Sequence, residues 1–111
     1  MARILVVEDD PIQLEMREQI LENAGHEVVT AQNVSEALER FAGCPVVVMD
    51  LRIPEPEDGV RLIQAIAGQA RIIVLSGGQV DSTLPVDEVL TKPYPSKRLL
   101  ASIERRTSES K

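Results

Sequence analysis

The segment Arg3-Ile4-Leu5-Val6-Val7-Glu8-Asp9-Asp10-Pro11 decides how the rest of the chain is read. Its aliphatic run does not alternate with polar residues, as in strands of a parallel sheet covered on both faces. Three acids follow at once, and then a proline. Asp10 is suited to cap a helix and Pro11 to occupy its first position. One strand and the start of one helix are thus joined by a short acidic turn.

Working outward, Val46–Met49 and Ile72–Leu75 repeat the aliphatic pattern, and Val28–Ala31 and Val86–Leu90 repeat it more weakly. Helical patterns fill most gaps. From Pro11, the residues Ile12, Met16 and Ile20 recur at four-residue spacing with Leu21 and Ala24 alongside, and Gly25 ends the run. Asn33 and Glu36 form a capping-box pattern ahead of Ala37, Leu38 and Phe41, with Gly43 as the stop. Asp58-Gly59 opens a third helix carrying Val60, Ile63, Ile66 and Ala67, closed by Gly68. The last helix begins near Ser96, with Leu99, Leu100 and Ile103 on one face and Arg105-Arg106 near its C-terminal end. The polar tail 107–111 is expected to fray. This alternation predicts an α/β domain, a parallel sheet with helices on both faces, spanning residues 1–111 as one unit.

Composition narrows the function. The chain has 111 residues, 43% of them hydrophobic, enough for a core, while the 2% of aromatics make that core aliphatic. A formal charge of −6 argues against a nucleic-acid surface. The single cysteine, Cys44, excludes an internal disulfide and reads as a small core residue. His26 follows a helix-ending glycine and reads as a surface residue. No stretch reaches the length of a membrane span and no leader pattern opens the chain, so a cytoplasmic protein is expected.

Open parallel sheets bind ligands outside the carboxyl ends of their strands. Here those ends carry Glu8-Asp9-Asp10, Asp50, Ser76 and Lys92. Clustered carboxylates repel one another unless a cation joins them. Mg²⁺ prefers a few carboxylates with water and phosphate oxygens. A carboxylate can itself attack a phosphoryl donor, while a metal and a lysine neutralise the moving charge.

In family order, Arg3–Asp10, Val48–Pro54, Asp58-Gly59, Val74–Gly77 and Leu90–Tyr94 resemble the motifs of response-regulator receiver domains of two-component signalling. The resemblance implies a flavodoxin-like doubly wound sheet of five parallel strands in the order 2-1-3-4-5. It implies that Asp50 accepts the phosphoryl group, and that Ser76 and Lys92 contact it. The Mg²⁺ ligands would be Asp9, Asp50 and the Arg52 backbone carbonyl, with Glu8 acting through water. A histidine kinase or phosphotransfer protein would be the donor, and an unknown protein the target. The family's Lys-Pro bond is commonly cis, which points to Lys92-Pro93.

The chain also departs from the pattern. The loop 53–59 is one residue longer than the usual form and carries two prolines. The position of the family's switch aromatic holds Val89. Between the fourth and fifth strands only 77–85 is available, too short for an ordinary helical crossover. That stretch resembles an atypical receiver subfamily whose fourth helix is replaced by a loop. Other classes fit less well. A haloacid-dehalogenase-type phosphatase needs a second aspartate where Arg52 stands, and a dinucleotide fold needs a glycine-rich turn where Glu8-Asp9-Asp10-Pro11 stands. A receiver that only binds partners, or a receiver fragment of a hybrid kinase, remains as an alternative.

Overall fold

The computed structural model describes residues 2–53 and 55–109, with side chains through Glu104. Strands β1 (Arg3–Val7), β2 (Glu27–Ala31), β3 (Val46–Asp50), β4 (Arg71–Ser76) and β5 (Glu88–Thr91) alternate with helices α1 (Pro11–Asn23), α2 (Val34–Arg40), α3 (Pro56–Ile66) and α4 (Ser96–Glu109). All strands are parallel, in the order β2-β1-β3-β4-β5, which is the expected flavodoxin-like sheet.

Every residue of β3 and β4 is buried, because helices cover both faces of the central strands. Successive strand residues point to opposite faces. Leu5, Val7, Val47, Met49, Ile72 and Val74 therefore pack with Ala37, Leu62, Ile63 and Ile66 of α2 and α3. Ile4, Val6, Val46, Val48, Ile73 and Leu75 pack with Leu14, Leu21, Leu99 and Ile103 of α1 and α4.

The register levels the strand ends. Val7 lies opposite Met49, Asp50 opposite Leu75, and Ser76 opposite Thr91. Glu8, Asp50, Ser76 and Lys92 therefore fall along one rim of the sheet. One glycine keeps a segment of that rim in place. A Cβ at Gly59 would lie 2.0 Å from the Leu51 carbonyl oxygen, so α3 can cross the chain leaving Asp50 only with no side chain there.

Several expectations are corrected. The buried stripe of α1 is Leu14, Arg17 and Leu21, while Ile12 and Met16 are 70% and 58% exposed. Both stripes have helical spacing, and the arginine disguised the one that faces the sheet. Helix α3 starts at Pro56, ahead of Asp58, because Glu55 and Asp58 close a capping box. Strand β5 starts at Glu88 rather than Val86, which belongs to the preceding loop. His26 is buried, its Nδ1 accepting the Ala2 N–H at 3.1 Å as the chain turns back under its own start. Helix α4 continues through residues 107–109, where a polar tail was expected, while Ser110, Lys111 and the Arg105-Arg106 side chains lie outside what is described, as does Pro54 of the longer loop. Two other expectations hold: Cys44 is in the core, and Lys92-Pro93 is cis.

No helix lies between β4 and β5: residues 77–87 form turns and bends. Val80, Leu84 and Val86 from this loop pack on the α2/α3 side of the core. The segment is glycine-led and short, so a few apolar anchors do the covering that a helix face would otherwise provide.

Candidate functional site

Asp50 ends a fully buried strand and is itself only 8% exposed. Its Oδ1 accepts the Arg52 backbone N–H at 3.1 Å, and its Oδ2 pairs with the Lys92 ammonium. Lys92 follows β5, and its own N–H donates to the Ser76 carbonyl at 2.7 Å. One strand end thus positions the next. Strand pairing, rather than any local turn, sets the distance between the acid and the lysine.

Ser76 is buried at the end of β4, and its hydroxyl is turned into its own loop. It donates to the Gly78 carbonyl at 3.0 Å and accepts the Gly78 N–H at 3.2 Å. The three acids after β1 separate by role. Asp10 caps α1, its Oδ1 accepting the Ile12 N–H at 3.0 Å. Asp9 is exposed. Glu8 is buried, with Oε2 accepting the Asp10 N–H at 3.1 Å and Oε1 paired with Arg17.

Burial pushes the Glu8 carboxyl above its usual range, and the Asp50 charge adds to this, against the opposing pull of the Asp10 N–H and Arg17. Burial alone would lower the Arg17 pKa. The Tyr94 phenol and Glu8 outweigh it, so the guanidinium is held more firmly protonated than usual.

The donor set suits a hard divalent cation: two carboxylates at a rim, with the Arg52 carbonyl two residues after Asp50. No three acidic, histidine or cysteine side chains converge as a closed metal cage among the described residues. Mg²⁺ does not require one, because it keeps several waters and takes oxygens from substrate phosphate. The residues present fit it on chemistry, through Asp9, Asp50 and a backbone oxygen.

The sequence reading missed Arg17 and Tyr94. The signal for Arg17 was the Leu14-Arg17-Leu21 spacing, which puts an arginine in the middle of a buried helical stripe. Beside the acidic rim, a groove of about 560 Å³ runs between α1 and the start of α4, with Ile12, Met16, Lys92, Pro93 and Tyr94 on its walls. Among the described residues, no helix is long and apolar enough to cross a membrane.

Comparison with known proteins agrees with this geometry. The response regulator receiver domain family matches residues 4–104. The transcriptional regulatory protein CpxR homolog of Haemophilus influenzae is 28% identical over 94% of this chain and 49% of its own length. The nisin biosynthesis regulatory protein NisR of Lactococcus lactis is 27% identical over 92% of this chain and 48% of its own. The chain thus spans about half the length of these curated relatives. A CheY-like receiver domain from Methanospirillum hungatei superposes with a TM-score of 0.86 at 26% identity, covering 98% of this chain and 95% of that one. The response regulator TrrA of Thermotoga maritima, solved in complex with Mg²⁺-BeF, gives 0.84 at 30% identity, covering 95% and 98%. With its sheet order, its rim of acids and lysine, and this match, the chain belongs to the response regulator receiver domain family of two-component signalling.

Proposed function

We propose that this receiver accepts a phosphoryl group on Asp50, in a Mg²⁺-dependent way, from a histidine kinase or phosphotransfer protein. The observation that carries this is the Asp50–Lys92 pair at the levelled strand ends. A carboxylate needs no base to act as a nucleophile. An Asp50 oxygen attacks phosphorus, the P–N bond of the donor phosphohistidine breaks, and its electron pair returns to the imidazole. The Lys92 ammonium then pairs with a phosphoryl oxygen. The Ser76 hydroxyl leaves Gly78 and donates to another, and this movement carries the signal into the loop after β4.

Asp9, Asp50 and the Arg52 carbonyl would hold Mg²⁺, with Glu8 contributing through water. When bound, the ion neutralises charge on the oxygens of the transferring group. Exposed Ile12 and Met16 border Lys92 and give a phosphodonor protein an apolar surface to dock on. Such a donor draws on ATP, so this reading puts the domain in the cytoplasm. Chemistry on this chain would be limited to its own phosphorylation and dephosphorylation.

Incubation of wild type and Asp50→Asn with a small phosphodonor and Mg²⁺, followed by intact-mass measurement, tests the reading. One phosphoryl group should appear on wild type, only with Mg²⁺, and none on the variant. Wild type that stays unmodified with both a small donor and a kinase favours the second reading, a receiver that only binds partners. That reading is supported by the Ser76 hydroxyl already engaged with Gly78, and by Val89 at the switch position.

A further inference from the structure

Glu8 is the acid whose position is least like that of a free metal-site carboxylate. It is 4% exposed and Arg17 is 5% exposed. Arg17 Nη1 pairs with Glu8 Oε1, the Asp10 N–H donates to Oε2, and Arg17 Nη2 donates to Gln13 Oε1 at 2.9 Å. Tyr94, in the segment leading into α4, lines the same groove as Arg17 and helps hold its guanidinium protonated. Both Glu8 oxygens are therefore already engaged, one of them by a full positive charge within the protein. An arginine here is not a packing convenience. It is buried between Leu14 and Leu21 on the stripe of α1 that faces the sheet, where an aliphatic residue would need no counter-charge.

Deepening the metal-dependent reading above, on which it rests, we propose that Arg17 is a positioning residue that competes with the divalent cation for Glu8 and thereby sets the metal affinity of the site. With Arg17 in place, Asp9 and Asp50 carry most of the affinity. For Glu8 to turn toward a metal-bound water, it must part from Arg17. That loosens Arg17 from Tyr94 and couples metal binding to the face shared by α1 and the start of α4.

A double-mutant cycle on Mg²⁺ affinity, measured calorimetrically without any phosphodonor, tests this. Wild type, Glu8→Gln, Arg17→Met and the double variant are compared. Arg17→Met should tighten Mg²⁺ binding by roughly tenfold, the scale on which outer-shell groups act. Adding Glu8→Gln should abolish that gain, while Glu8→Gln alone should change affinity by about twofold at most. Equal tightening by Arg17→Met with Gln at position 8 would show a through-space charge effect and overturn the proposal. So would a large loss of affinity from Glu8→Gln alone, or the absence of Mg²⁺ binding in every variant.

Arg17→Met leaves Glu8 buried without its cation and lowers stability, so thermal midpoints are read with and without Mg²⁺. The single variant should gain more from Mg²⁺ than wild type does, and the neutral double variant serves as the folded control. Tyr94 is the one tyrosine and there is no tryptophan, so its emission reports on the surroundings of Arg17. It should change with Mg²⁺ in wild type and much less in Arg17→Met. Failure of Asp50 phosphorylation with this cycle intact would overturn only the phosphoacceptor reading. Phosphorylation without coupling between positions 8 and 17 would overturn only the role of Arg17.

Discussion

Cys44 shows how far burial alone changes one side chain. It lies at the end of the loop into β3, 3% exposed, with its Sγ donating to the Arg40 carbonyl at 3.7 Å. Burial pushes its thiol above the usual value, and Glu27 adds to this against the opposing effect of Arg3. A pKa raised by folding stabilises the fold below the unfolded thiol's value, about 8.5. That contribution is lost as pH rises through the higher folded value. Stability should therefore decline above roughly pH 8.5, and Cys44→Ala should flatten the decline, as read from urea midpoints across pH. Alkylation of the native thiol at pH 8 should run roughly a hundredfold or more slower than in urea, since it requires local opening. Equal rates in the two conditions would mean that the thiol is not buried in solution.

At the scale of elements, the segment between β4 and β5 sets this receiver apart. Its turns have defined anchors. Asp81 Oδ1 accepts from the Thr83 N–H at 2.9 Å and from the Thr83 hydroxyl at 2.7 Å, and those bonds lower the Asp81 pKa. A depressed carboxyl supports the turn at neutral pH, and that support is lost as pH falls through its folded value. Farther on, Val86 N–H donates to Leu84 O at 2.8 Å and Asp87 N–H to Ile72 O at 2.9 Å. Amide exchange should therefore be fastest around 79–82 and slow by 87, a gradient that no helix would give. When a phosphate mimic occupies the site, Ser76 should leave Gly78 and residues 77–82 should become more protected, an ordering rather than a helix shift. Uniform helix-like protection in the free protein would refute the loop. Exchange unchanged by the mimic would remove its role as the switch.

Across the whole molecule, the two halves of the core share the same strands. Leu5 faces α2 and α3 while Ile4 beside it faces α1 and α4. One half cannot be lost without exposing the backs of β1, β3 and β4 to water, so unfolding should be a single transition. Leu5→Ala on one side and Leu75→Ala on the other should each cost about 2–5 kcal/mol. Urea unfolding followed by circular dichroism and by Tyr94 emission should give coincident curves for both variants. Separate midpoints would mean that the halves fold independently.

The features legible in the chain alone are mostly local. Aliphatic runs without alternation specify strands buried on both sides, and Asp10-Pro11 and Asn33 with Glu36 specify helix starts. The shortness of 77–85 rules out a full helix. Because ligands gather at carboxyl strand ends, Asp9, Asp50, Ser76 and Lys92 could be picked out before any coordinates. Tertiary structure decided what periodicity leaves degenerate. Ile12-Met16-Ile20 and Leu14-Arg17-Leu21 both suit a helix, and only packing against the sheet chooses the stripe containing a charge. An arginine inside looks wrong until its partner is known, and that partner, Glu8, lies outside the helix in the turn after β1. The Asp50–Lys92 pair spans 42 residues of sequence and exists because parallel register brings the ends of β3, β4 and β5 level. Such long-range contacts leave no periodic trace in the chain, and the sheet alone creates them.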